Sequence, residues 1–470
     1  MAGFIGRVRE LESLDGELDR VRSDPVQPGR CVMVRGRRRV GKSRLVEEFC
    51  ARAGVPHVFF AASRRGEAEV GLFVEEVGES NLPGRTLLAN ANPAGWEAAL
   101  RVLAAGADDD KPIVVVIDEF PYLVDDDPSL EATFQKLWDR VLSKKPILLI
   151  LVGSDLAMME ALNDYDRAFH QRGTEMVVPP LSPVEVQELA KLNSAADAFD
   201  AYLITGGLPL ICDEWPPGMS MWEYLEEALN EPVSALIVSA ERALAAEFPS
   251  DAQARTVVGE IGSGERTFTN IARAAGGLTA ASLNRSLDLL GTKRIVAREV
   301  PLSTLPSKEA RYRVADPYLR FWLQFIGPHF AEIERGRGDR TIARIQRDWT
   351  TWRGRAIEPV VREALMRLSP IDALPAADAV GGFWTRTNNP EIDIVGADRI
   401  PVAKKVAYAG TIKWLDNAPL DQGDLNKLIA ALPAVAGADE KTPLVAVSRS
   451  GVTAAGAVAL GPDELIKAWS

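Results

Sequence analysis

The stretch Gly36-Arg37-Arg38-Arg39-Val40-Gly41-Lys42-Ser43 decides the fold of this chain, because it fits the pattern G-x-x-x-x-G-K-[ST] in the context that pattern needs. Before it, the apolar run Cys31-Val32-Met33-Val34 reads as a buried strand. After it, Leu45, Val46 and Phe49 recur at helical spacing. A strand, a glycine-bounded loop and a helix N-terminus together present backbone N–H groups and positive potential to a phosphate. Lys42 is placed to reach the β- and γ-phosphates of a nucleotide, and the Ser43 hydroxyl to bind Mg²⁺. The loop residues, with Arg44 directly behind them, form the expected ATP site.

A second motif gives the first its chemistry. Ile113-Val114-Val115-Val116-Ile117 is a run of β-branched residues that reads as a central strand of a parallel sheet, and Asp118-Glu119 follow at its C-terminal end. Ligands of open α/β sheets bind at such strand ends. Asp118 is expected in the Mg²⁺ shell, and Glu119 as the group that polarises the attacking water.

Working outward, Leu11, Leu14, Leu18 and Val21 mark a helix ahead of the first strand. Val55-Pro56-His57-Val58-Phe59-Phe60, Ile147–Val152 and Met176-Val177-Val178 read as further strands, with helical stretches at 67–105 and 128–143 between them. Strands alternating with helices imply a parallel, doubly wound sheet. Residues 182–245 read as all-helical. From 253 to 315 the pattern is three helices followed by a hairpin of Ile295–Glu299 with Ala310–Val314, the arrangement of a winged helix, with Thr279 capping the third helix. The aromatic stripe Tyr318, Phe321, Trp322 and Phe325 has helical spacing and reads as core. Strands at 391–395, 406–410 and 444–447 and helices at 356–368 and 421–433 make a second, smaller α/β unit.

The chain has 470 residues, too many for one core. Cysteines are three and scattered, which fits a reducing cytoplasm, and no apolar run is long enough for a membrane span. The net charge of −12 argues against polyanion binding by the whole surface. Residues 251–355, however, hold 18 Lys and Arg against 11 Asp and Glu, a balance of +7 that points weakly to nucleic acid.

Together these features resemble the archaeal-type prokaryotic ATPases of the STAND/AAA-like P-loop group over nearly the whole chain. Phe4-Ile5-Gly6-Arg7 looks like the opening box of that family, which implies that Ile5, Gly6 and Arg7 lie near the nucleotide base. The resemblance implies a sensor role near the γ-phosphate for Ser154, and a γ-phosphate-sensing arginine at Arg172, acting in trans if copies assemble. It makes Gly207-Leu208-Pro209 the signature of a helical lid, with Pro209 at the nucleotide. Residues 312–322 look like the lead-in to the appended nuclease-like domain of the family. Glu391-Ile392-Asp393-Ile394-Val395 followed by Thr411-Ile412-Lys413-Trp414 looks like a PD-(D/E)xK pattern, in which two carboxylates hold Mg²⁺ and a lysine positions water. Asp393 and Lys413 match, but Thr411 stands where the second acid belongs; Glu358 and Glu391 are the remaining acids of this degenerate site.

The expected fold class is therefore α/β: a P-loop parallel sheet with a helical lid, a winged helix and a degenerate restriction-endonuclease-like α/β domain. The expected domains are a P-loop core at 1–180, a lid at 181–250, a winged helix at 251–325 and the nuclease-like domain at 326–470. The expected function is a cytoplasmic ATP-binding and ATP-hydrolysing conformational switch, with Mg²⁺ as cofactor and no nuclease activity. The expected partners are DNA, through the winged helix or the nuclease-like domain, a second copy of the chain, or an effector protein, with no membrane. Two alternatives stand beside it: an ATP-dependent DNA nuclease in defence, and a transcription regulator that binds ATP without turnover.

Overall fold

The computed structural model describes the chain apart from residues 1–3, 25, 64, 65, 67, 155, 163–171, 249, 250 and 265. It divides into two units, Met1–Pro180 and Leu181–Ser470.

The first unit is built on five parallel strands: β1 (Arg30–Arg35), β2 (His57–Ala61), β3 (Ile113–Asp118), β4 (Ile147–Gly153) and β5 (Thr174–Val177), in the spatial order β2-β3-β4-β1-β5. β3 and β4 are buried along their whole length, as their unbroken apolar sequences require of strands covered on both faces. Phe60, Phe73, Phe120 and Phe134 pack in the core on one side of this sheet. The helical stretch expected at 67–105 is three helices, Ala68–Glu79, Arg85–Ala91 and Trp96–Gly106. That expected at 128–143 is a helix Leu130–Arg140 and a 3-10 turn, with a separate short helix Phe120–Asp126 before it.

The second unit begins with helices from Pro183 to Glu247. The helices Ala252–Gly262, Phe268–Ala274 and Ala280–Thr292 follow, then β6 (Val296–Glu299) and β7 (Arg311–Val314), paired antiparallel. Thr279 caps the third of these helices, accepting from Ser282 N at 3.3 Å. A helix of 31 residues, Gly338–Leu368, leads to a mixed sheet of β8 (Ala379–Trp384), β9 (Glu391–Ala397), β10 (Val406–Lys413), β11 (Leu444–Ser448) and β12 (Val458–Leu460), ordered β12-β11-β10-β9-β8. The sequence places a helix only from 356; the structure extends it back to Gly338, since Trp349, Trp352 and Ala356 continue one buried stripe, and Pro359 lies inside the helix. Tyr318, Phe321, Trp322, Phe325, Trp349 and Trp352 are all buried. Among the described residues no helix is long and apolar enough to cross a membrane.

One ionic network ties the second unit together. Asp200, on the helix Ala195–Thr205, accepts from Arg353 at 3.0 Å and from Arg449 at 2.9 Å, and both arginines also bind Asp416. Arg353 is 2% exposed, so its charge depends on these partners. Burial pushes Asp200 up to about 6 against the pull of both arginines, which leaves it ionised at neutral pH.

Candidate active site

The loop between β1 and the helix Lys42–Ala53 turns back over the end of its strand. Gly36 has no room for a side chain: a Cβ there falls 2.5 Å from the Val178 carbonyl oxygen. Arg39 and Gly41 take positive φ of 67° and 86°, which folds the loop into a cradle at the helix N-terminus. Arg7 fixes the cradle from outside; its buried guanidinium donates to the Val40 carbonyl at 2.8 Å.

Lys42 is buried and points into the cradle. Its ammonium donates to the carbonyls of Gly36 and Arg37, each at 3.0 Å, and to Ser154 Oγ at 2.9 Å. Burial pulls its pKa down to about 8, opposed by the charges of Glu119 and Asp118. Ser154 in turn donates to Glu119 Oε1 at 2.7 Å. Ser43 Oγ donates to Asp118 Oδ2 at 2.6 Å, and Asp118 Oδ1 accepts from Glu119 N at 2.9 Å. Burial raises Asp118 above the usual carboxylate range against these bonds. Glu119 takes a positive φ of 52° as the cap of the helix Phe120–Asp126, which turns two adjacent acids toward different partners. The sheet order explains the meeting: β1 carries the loop, β4 beside it carries Ser154, and β3 next along carries Asp118 and Glu119.

The other residues singled out in the sequence lie as follows. Arg38 and Arg44 are exposed, while Arg37, Ile5 and Gly6 are half-buried. Arg38 donates to Tyr122 OH at 3.2 Å, a partner that sequence reasoning missed and whose only signal is its position three residues after Glu119. Arg172 makes a two-pronged ion pair with Asp139, at 2.8 and 3.1 Å. Pro209 belongs to the second unit, where it opens the short helix Pro209–Asp213. Just before it Gly207, at φ 66°, lies so close to Leu181 O that no side chain fits.

In the C-terminal sheet, Asp393 Oδ2 accepts from Thr411 Oγ1 at 2.9 Å and from Ile412 N at 2.8 Å. Thr411 thus donates to the acid beside which a second acid was sought. Glu358 pairs with Arg362 at 3.1 Å and Glu391 with Arg311 at 2.5 Å, while Lys413 pairs with Asp424 rather than with Asp393. Burial raises Asp393 and Glu358; it acts in the same direction on Glu391, but the bond and charge of Arg311 hold that acid down. Arg311, Arg362 and Asp424 are the residues sequence reasoning missed here. Only Arg362, four positions after Glu358 on one helix, and Asp424, as part of a capping box, had a local signal. Among the described residues no three or more His, Cys, Asp or Glu side chains gather as a metal site.

Parallel sheet, cradle and paired acids define the first unit as a P-loop ATPase domain. Residues 4–211 match the family model described as an ATPase domain predominantly from Archaea, and residues 322–427 match one described as archaeal and bacterial proteins of unknown function. An uncharacterised protein of Methanocaldococcus jannaschii is 24% identical over 437 residues, 90% of each chain. Among solved structures, a Walker-type ATPase of Pyrococcus abyssi is similar with a TM-score of 0.49 and 18% identity, covering 68% of this chain and 96% of that one. The ORC2 protein of Aeropyrum pernix is similar with a TM-score of 0.46 and 15% identity, covering 74% of this chain and 97% of that one.

Proposed function

We propose that the protein is a Mg²⁺-dependent ATP-hydrolysing switch whose second unit binds a partner and does not cut nucleic acid. The observation that carries the first half is the pair of hydrogen-bonded chains that meet at the cradle, Lys42–Ser154–Glu119 and Ser43–Asp118. Each member has a function that its present bond anticipates. The three donors of Lys42 rest on two carbonyls and a hydroxyl, acceptors that phosphate oxygens replace. The Ser43 hydroxyl and the Asp118 carboxylate are hard oxygen donors side by side, a set that suits Mg²⁺; when bound, the ion neutralises charge on the phosphates. Glu119 is held by Ser154 at the same end of the sheet, where it orients and deprotonates water for in-line attack. Ser154 bridges the lysine and the glutamate, so phosphate on Lys42 is felt at Glu119. For Arg172 to serve the γ-phosphate of a neighbouring copy, it must leave Asp139.

The second half rests on the fate of the carboxylates at the C-terminal sheet. Glu358 and Glu391 are engaged by arginines, and Asp393 by Thr411 and a backbone N–H. Mg²⁺ gives up its waters reluctantly and relies on free carboxylates to hold it at a scissile phosphate. The three helices with the β6–β7 hairpin we read as a winged helix, and the helices from Pro183 onward as the lid.

The test is phosphate release and ATP calorimetry on the wild type and Lys42→Ala. Loss of binding in the variant is the expected result. Unchanged affinity together with unchanged turnover would overturn the assignment of the cradle.

A further inference from the structure

Arg7 stands just before the N-terminal helix Val8–Ser23, at a position where an arginine does nothing for the helix itself. A residue there ordinarily accepts a hydrogen bond from the first turn through a side-chain oxygen. A guanidinium has five donors and no acceptor, and Arg7 makes no such cap. Its backbone is also left-handed, at φ 60°, directly after Gly6 at φ 74°. Glycine adopts that region freely, whereas a residue with a Cβ does so at a cost that its surroundings must offset. The two left-handed residues turn the chain so that the Arg7 side chain, only 4% exposed, reaches the phosphate loop 33 positions further on.

The arm is held at its root and along its length. The Arg7 carbonyl accepts from Leu11 N at 2.9 Å, and Leu11, Leu14, Leu18 and Val21 bury the helix against the core. Nη1 donates to Glu10 Oε1 at 3.4 Å, and Nη2 donates to the Val40 carbonyl at 2.8 Å. Val40 is itself fully buried. Its carbonyl belongs to the peptide that links Val40 to Gly41, and that peptide is trans. A trans peptide is planar, with its C=O and its N–H pointing in opposite directions. Fixing the Val40 oxygen toward Arg7 therefore fixes the Gly41 N–H on the side away from Arg7. Gly41 precedes Lys42, at the N-terminus of the helix Lys42–Ala53.

We infer that Arg7 is a positioning residue for the nucleotide: by holding the Val40 carbonyl outward it turns the Gly41 N–H inward, to a phosphate oxygen. The inference rests on reading the cradle as the ATP site. It gives Arg7 a task other than the contact with the base that the resemblance implies. An N–H aimed at phosphate is indifferent to the base. It also serves the bound nucleotide and the transition state alike, so its loss weakens binding and spares the rate at saturation.

The test uses the full chain and calorimetry with two ligands, ATP and inorganic tripolyphosphate, each with Mg²⁺. Tripolyphosphate carries the phosphates without the base. Arg7→Met keeps most of the buried volume and removes every donor. It is expected to weaken both ligands by the same factor, about tenfold or more, the scale of one hydrogen bond to a charged group. In steady-state turnover KM for ATP should rise by that factor while kcat stays within about threefold of the wild type. Arg7→Lys, which keeps a charged donor on a long arm, should recover most of the affinity for both ligands. Should Arg7→Met fail a thermal-melt check, Arg7→Gln replaces it, since its shorter arm does not span the gap to Val40, and the same equal loss is expected. Lys42→Ala, run alongside, reports any tripolyphosphate bound outside the cradle. A loss confined to ATP would place Arg7 at the base, and unchanged affinity for both ligands would leave it no part in binding; either result overturns the inference. Failure of the wild type to bind ATP would instead sink the assignment of the cradle and carry this inference with it.

Discussion

Two groups of acids in this chain have opposite company. In the first unit Asp118 and Glu119 are held by hydroxyls, those of Ser43 and Ser154. In the second unit Glu358 and Glu391 are held by guanidinium groups, and Asp393 by a threonine and a backbone N–H. A serine hydroxyl is a small neutral partner that can turn to a metal ion or a water molecule. An arginine in a formed ion pair satisfies the charge outright, and removing it strands the acid. The comparison teaches that a carboxylate at the right place in a sheet is not yet a reagent. What its neighbours leave free decides whether it does chemistry or holds structure.

If that distinction is right, isosteric neutralisation should separate the two groups. Glu119→Gln should keep ATP bound and lower turnover by about 10² to 10⁴, the range for a lost general base, with little change in thermal stability. Turnover at the wild-type rate would put water activation elsewhere. Asp200→Asn, in the arginine network of the second unit, should do the reverse. It leaves Arg353 with a buried charge and lowers stability by about 3–5 kcal/mol in denaturant unfolding, with ATP affinity of the first unit retained. A stability change within error would mean that Asp416 alone suffices for Arg353.

Thr411→Glu sharpens the contrast at the degenerate site. It replaces a donor to Asp393 with a second negative charge, so the fold should lose about 1–3 kcal/mol and no cleavage of supercoiled DNA should appear. Metal-dependent nicking by this variant, lost again in Asp393→Ala, would show that one residue separates the site from a nuclease.

The smallest effect concerns protons. Lys42 in the free cradle has its pKa drawn down to about 8, and nucleotide binding favours its charged form. ATP affinity should therefore be full below that pH and fall about tenfold between pH 7 and 9, with proton uptake on binding in calorimetry above pH 8. A flat profile would mean that the ammonium stays charged through this range.

How much of this was legible depended on distance along the chain. The cradle was, because Gly36 to Ser43 is contiguous and its helix and strand are marked by their own spacing. Asp118 and Glu119 were, because they end an unbroken β-branched run. The capture of Glu391 by Arg311 was not, because the two are 80 residues apart and meet only through tertiary structure. Strand β8 was passed over: Ala379-Val380-Gly381-Gly382-Phe383-Trp384 carries two glycines in its middle, which weakens any strand signal. The positive φ of Glu119 has no signature in its type, since glutamate rarely adopts it.

The strand order of the first unit has a consequence for how the chain is made. β1, which carries the phosphate loop, has as its two neighbours β4 and β5, which begin only at Ile147 and Thr174. During synthesis the chain emerges from its N-terminus, so the loop sequence is exposed long before either edge of its strand has a mate. A chain synthesised only as far as Ile147 holds the complete motif on a strand that still lacks both of its neighbours in the sheet.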